Sequence, residues 1–256
     1  MQRKYSWIPD LPDHRDKKFA AIHPTATLPK SVDLRTSGFM PIVYDQNQLG
    51  SCTANACAGA YQFGKLKQKE NTLHNSWIPS RLFIYYNERV IDGSVSTDAG
   101  SSLRTGIKVL NTQGACPETM WPYQISKFAV KPPQTCYTFS LKNEITSYLS
   151  IDNTNITALK SCLAAGYPFV MGFSVYESFE SEEVATTGIL PMPHPNESQL
   201  GGHAVVGVGY DDATQMFIIR NSWGKSWGQH GYFMMPYAYI TNSGLADDFW
   251  TIRILE

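Results

Sequence analysis

The sequence lacks the features that would commit it to a membrane, a metal or a polyanion. No apolar run approaches the roughly 18 residues of a membrane-spanning helix, so no membrane partner is expected. Lys and Arg total 21 against 22 Asp and Glu, for a formal net charge of −1. There is no dense basic run, which argues against nucleic acid as a partner. The five cysteines, at 52, 57, 116, 136 and 162, form no CxxC pair. A structural zinc site would want four ligands at short paired spacings, so no metal is expected. Their odd number leaves one free thiol with up to two bridges, or no bridge at all, as open alternatives. The N-terminal stretch MQRKYSWIPDLPDHRDKKF has no apolar middle of the kind a secretory signal needs. Retention in the cell, export by another route and prior removal of a signal all remain open. Internal repeats and low-complexity tracts are also missing.

What is present is the composition of a folded globular protein, with 43% hydrophobic and 17% charged residues in 256. That length can bury a large core in one domain or two lobes. Residues 1–27, with clustered charge and Pro9, Pro12 and Pro24, show no sustained period and read as an arm. Its apolar Trp7, Ile8 and Leu11 suit a segment that folds back on the remainder, either to gate a cleft or to strap the surface. From 28 to about 123 the texture is helical. One helix is expected from Cys52 towards Leu66 behind Ser51, a second from Ser80, and a third from Ser102 to Leu110 closed by Gly114. From about 124 to 256, short runs rich in Val, Ile, Phe and Tyr recur between Gly, Asn and Asp, among them PFVMGFSV, HAVVGVGY and MFIIRNSW. Such spacing predicts an antiparallel, barrel-like β lobe carrying one helix over 158–165. A helical lobe followed by a β lobe gives an α+β fold with a cleft between the two.

Three segments carry chemistry. Cys52 follows Gly50-Ser51 at an expected helix start, where unpaired amides and the helix dipole favour a thiolate. His203, in GGHAVVGVGY, heads an apolar strand behind two glycines. Asn221, in IIRNSWGKSWGQHGYF, ends the next strand. A hairpin turn at 211–214 would bring 203 and 221 within reach of each other.

Gln46, six residues before Cys52, together with His203-Ala204-Val205 and Asn221-Ser222-Trp223-Gly224, resembles the papain/cathepsin family of cysteine peptidases. The similarity runs from LPKSVDLR at residue 28 to the C-terminus and includes GACPETMWPY. The resemblance implies a two-lobe fold with Cys52 as nucleophile on the helical lobe. It also implies His203 as acid and base, Asn221 as its orienting partner and Gln46 as an oxyanion donor. Trp223 would shield the His–Asn hydrogen bond, Gly100 would pair with substrate main chain, and Trp227 would pack the turn and touch substrate. The function implied is peptide-bond hydrolysis, by an endopeptidase, through an acyl-thioester on Cys52. Acyl transfer of the transglutaminase or deamidase type by the same triad is an alternative, as is a non-catalytic peptide-binding module. The expected partner is a polypeptide, the expected state a monomer, and no cofactor is required.

Three departures from the family pattern stand out. Thr53 replaces the usual Trp after the nucleophile, Leu49 replaces a cysteine, and the long helical pro-segment is absent, with only residues 1–27 in its place. They set the chain in a divergent branch with fewer disulfides, of a kind expected in microbes.

Overall fold

The computed structural model describes residues 4–19, 28–68 and 77–254. Helix α1 (Cys52–Gln68) runs through the centre and is buried on all sides from Cys52 to Phe63. Its first turns are built from Ala54, Ala56, Ala58, Gly59 and Ala60, small enough for neighbouring elements to approach closely. A Cβ at Gly59 would lie 3.3 Å from the Arg220 side chain. Helix α2 (Arg81–Asp92) starts where Ser80 Oγ accepts the Phe83 amide and stops at Gly93, in the left-handed region with φ 70°. Helix α3 (Leu103–Thr112) is capped in the same way by Ser102. All three helical starts thus fall where the serine signals put them. Helix α4 (Gln134–Ser140) packs on α2, with the Tyr137 ring 5.0 Å from Phe83. Helix thus recurs past residue 123, in α4, where Tyr137 packs on Phe83 of α2.

The β part is one antiparallel sheet. Strand β1 (Ser31–Asp33) pairs with β4 (Gln199–Asp211), while β2 (Ser147–Ser150), β7 (Ala246–Arg253), β3 (Phe169–Tyr176), β4, β5 (Met216–Arg220) and β6 (Tyr232–Pro236) lie side by side in that order. This sheet is open along the described residues, which corrects the expectation of a barrel-like lobe: β2 and β6 end the order and do not pair with each other. Helix α5 (Ile156–Ala164) matches the one helix expected in this half. Two short helices, α6 (Glu182–Thr187) and α7 (Tyr237–Ile240), were too brief to show a period. The N-terminus of α1 abuts β4, so Cys52 and the His203 strand face each other across the junction of the two halves.

Candidate active site

The β4–β5 hairpin turns just after Asp211 and sets the two strands antiparallel, with Val206 opposite Arg220. This register carries His203 and Asn221 to the same end of the pair. His203 Nε2 and Asn221 Oδ1 are 2.8 Å apart, and both residues are buried. The Trp223 indole stacks on the imidazole, with centroids 5.0 Å apart and planes at 28°. It therefore covers the His–Asn bond and keeps it dry, where a hydrogen bond is worth more.

Residues 44–46 are strapped to the turn that follows Asn221. The Gln46 amide donates to Ser222 O at 2.9 Å, and the Gly224 amide to Tyr44 O at 2.9 Å. The Gln46 carboxamide is fixed at both ends: Nε2 donates to Leu49 O at 3.0 Å, and Oε1 accepts from Ser222 Oγ at 2.6 Å. An amide nitrogen has two hydrogens, and among the described residues Leu49 O engages one of them. Leu49, at the position of the family cysteine, is buried and contributes backbone rather than a disulfide. All five cysteines are free thiols.

Several residues that the sequence reading missed hold this loop. Arg81 forms a bidentate pair with Glu118 at 2.8 and 3.0 Å, donates to Asp45 O at 3.0 Å, and lies 4.0 Å over the Tyr123 ring. Tyr123 Oη donates to Gln46 O at 3.0 Å and lies 2.6 Å from Ser51 Oγ. Glu118 and Tyr123 belong to the GACPETMWPY stretch. Its resemblance to the family pattern was a signal; its role in clamping the loop before Cys52 shows only in three dimensions. Thr53 donates to the buried Glu88 at 2.9 Å, so the departure from Trp makes room for a polar pair inside the helical half.

The arm passes directly over this site. The Trp7 amide donates to Gly202 O at 3.0 Å, the Ser101 amide to Ser6 O at 3.3 Å, and the Ile8 amide to Ser101 O at 3.0 Å. Tyr5 puts its ring 6.2 Å from both His203 and Trp223. Gly100, at φ 76°, is in contact with the arm backbone: a Cβ there would fall 1.9 Å from Ser6 O. Trp227 is buried against Trp223, Phe179 and Phe233, which makes it chiefly a packing residue. Beyond the cleft the arm is tied down by Arg104, which donates to Leu11 O and Asp16 at 2.6 Å each, and by the Ser150 amide, which donates to Lys17 O at 2.8 Å.

This cover bears on the Cys52 sulfur. Cys52 is completely buried, and burial pushes its thiol up to about 11 despite the amides of Ala204, Ser6 and Thr53 directed at the sulfur. The thiolate expected from sequence is therefore not the form favoured while the arm is in place. The Ser6 carbonyl, meanwhile, is engaged by the Ser101 amide. The thiol faces an N–H of the arm, and Ser6 does not offer its carbonyl for attack.

Comparison with known proteins gives a consistent answer. The model of the papain family cysteine proteases matches residues 28–251. An uncharacterized peptidase C1-like protein of Acanthamoeba polyphaga mimivirus is 42% identical over 275 aligned residues, covering 99% of this chain and 88% of that protein. Cathepsin K of Gallus gallus is 29% identical over 86% of this chain and 62% of its own length. Among solved structures, xylellain, a cysteine protease from Xylella fastidiosa, superposes with a TM-score of 0.90 at 45% identity, covering 100% of this chain and 99% of that one. With a thiol at a helix start, an Asn-held histidine across the junction and a family match over most of its length, this chain belongs to the papain family of cysteine proteases.

Proposed function

We propose that this cysteine protease is a latent endopeptidase, in which Cys52 attacks, His203 moves the proton, Asn221 orients the imidazole and Gln46 binds the oxyanion. The observation that carries the reading is the pairing of His203 Nε2 with Asn221 Oδ1 at 2.8 Å under Trp223. With Nε2 held by Asn221, the other ring nitrogen, Nδ1, is the one that exchanges a proton with sulfur and with the leaving amine. Attack of the thiolate on a peptide carbonyl gives a tetrahedral intermediate. Its oxyanion is met by the Cys52 backbone amide and Gln46 Nε2. Collapse expels the amine and leaves an acyl-thioester, which water then hydrolyses with His203 as base.

Endopeptidase action is supported by the path of the arm, whose residues 6–8 pair with Ser101 and Gly202 while the chain continues on both sides, to Tyr5 and to Asp10. A polypeptide can lie there with chain extending both ways. The near-zero formal charge favours neither nucleic acid nor an anionic membrane, and among the described residues no helix is long and apolar enough to cross one. The chain is taken to act as a monomer. Latency is supported by the full burial of Cys52, at whose sulfur the Ser6 amide of the arm is directed.

The test is hydrolysis of an internally placed bond in a blocked peptide, by the intact chain and by Trp7→Ala. The reading expects activity that rises at least about tenfold in Trp7→Ala, since removing a central aromatic anchor weakens docking by on the order of 2 kcal/mol. Equal activity in the two proteins would make the arm a strap rather than a gate.

A further inference from the structure

We propose that Asp248 makes this protease select a side chain bearing a positive charge or an N–H donor, namely arginine, lysine or tryptophan, for the pocket that Trp7 now fills. The inference rests on the reading that the arm lies where substrate lies. The pocket spans three adjacent strands. The Trp7 indole lies across Gly172 of β3 and Gly202 of β4, where an added Cβ would come 2.0 Å and 2.6 Å from its ring atoms. Two glycines therefore create the space, and its volume suits a large side chain. At its end, Asp248 of β7 accepts the indole N–H on Oδ2 at 2.9 Å, and the same oxygen accepts the Asp10 amide at 2.8 Å.

The backbone is bent to aim this carboxylate. The β3–β7 register shifts between Val170 and Gly172, and Asp248 takes φ 58°, a left-handed conformation that costs a non-glycine residue free energy. Bulges of this kind re-aim side chains beside active sites. Asp248 is only 8% exposed, and among the described residues both hydrogen bonds that reach its carboxylate come from the arm. Once the arm leaves, the carboxylate needs a new donor. An aliphatic side chain would bury it unpaired; a guanidinium, ammonium or indole N–H would not.

The charges around the pocket agree with this. Asp247 stands beside Asp248 on β7, and Arg104 of α3 is the nearby cation, engaged by the arm through Asp16 and Leu11 O. Without the arm, two carboxylates face one guanidinium. Burial and the neighbouring Asp10 now push the Asp248 carboxyl up to about 7. The Asp10 charge goes with the arm, and a cationic side chain in its place would favour the ionised acid.

The experiment uses the full-length chain as Trp7→Ala and as Trp7→Ala with Asp248→Asn, against peptides varied one position at a time on either side of the cleaved bond. The expected result is one position at which Arg, Lys or Trp exceeds Leu in kcat/KM by about tenfold or more, with that ratio falling about tenfold in the Asp248→Asn protein. The same peptides are titrated against Cys52→Ala/Trp7→Ala, with and without Asp248→Asn, where the binding ratio is expected to move in the same way. A preference for Leu at every position, a ratio that ignores Asp248→Asn, or an equal loss for all peptides would overturn the assignment. Loss of all hydrolysis with the binding ratio still shifting would sink the endopeptidase reading and leave the pocket assignment standing.

Discussion

At the residue scale, the state of the Cys52 sulfur is set by what covers it. Burial holds the thiol near 11 in the closed form, so little thiolate exists at neutral pH. Uncovering the sulfur lessens the desolvation that raises it, an effect set against the loss of the Ser6 amide that lowers it, and lets a charged His203 favour the thiolate. Alkylation of Cys52 by iodoacetamide at pH 7 is therefore expected to be at least about tenfold faster in Trp7→Ala than in the intact chain, read by peptide mapping. Equal rates would mean that the arm does not control ionisation. Gln46→Ala in the Trp7→Ala background is expected to cost on the order of 10²–10³ in kcat if the carboxamide binds the oxyanion. A loss of tenfold or less would reduce Gln46 to a loop clamp. Glu88 makes a separate prediction. Its carboxyl is pushed up to about 8, mainly by burial, and one oxygen has no hydrogen-bond partner among the described residues. Below about pH 4.5 the group is protonated folded or unfolded. Between 4.5 and 8 the unfolded chain releases a proton that the folded one keeps, so stability falls, and above 8 the loss levels off. Glu88→Gln removes that slope. Urea unfolding from pH 5 to 8 is expected to show the variant gaining on the parent by on the order of several kcal/mol, whereas parallel curves would contradict the assignment.

At the scale of elements, the site depends on two joins. One is the β4–β5 hairpin, legible in the sequence because HAVVGVGY and MFIIRNSW alternate with turn residues between them. The other is the strapping of residues 44–46 to 222–224, which no periodicity announces because both partners are loops. Arg81 holds this second join from α2, reaching Glu118 and Asp45 O together. Arg81→Ala would strand Glu118 and release the Gln46 loop, a loss of about 3 kcal/mol that thermal unfolding would register. Activity would fall with it; a fully active, fully stable variant would contradict the clamp. The serine caps of α2 and α3 were readable because capping is local chemistry. The open edges of the sheet were not, since closure depends on which strands meet at long range.

At the scale of the whole molecule, the arm is the element whose role the sequence left most open. Its apolar Trp7 pointed to a docking site, and the structure supplies one between Gly100, Gly172 and Gly202. Ile8 and Leu11, which carried the same expectation, are largely exposed: the arm docks through its backbone, the Trp7 indole, the buried Phe19 and ion pairs such as Asp16 with Arg104, rather than through an apolar stripe. The proposed triad was legible because Cys52, His203 and Asn221 each sit in a distinctive local motif, and the structure pairs His203 with Asn221. Asp248 was not, because its meaning comes from a bulge and from a partner 241 residues away. The central claim is that Cys52 is an activated peptidase nucleophile held closed by residues 5–8. It is tested most directly by intact-mass spectrometry after treatment with a peptidyl epoxide, followed by peptide mapping. The account predicts a single adduct on Cys52 in Trp7→Ala, much less in the intact chain, and none in Trp7→Ala/His203→Ala. An adduct on another cysteine, or equal labelling of Cys52 with His203 removed, would contradict it.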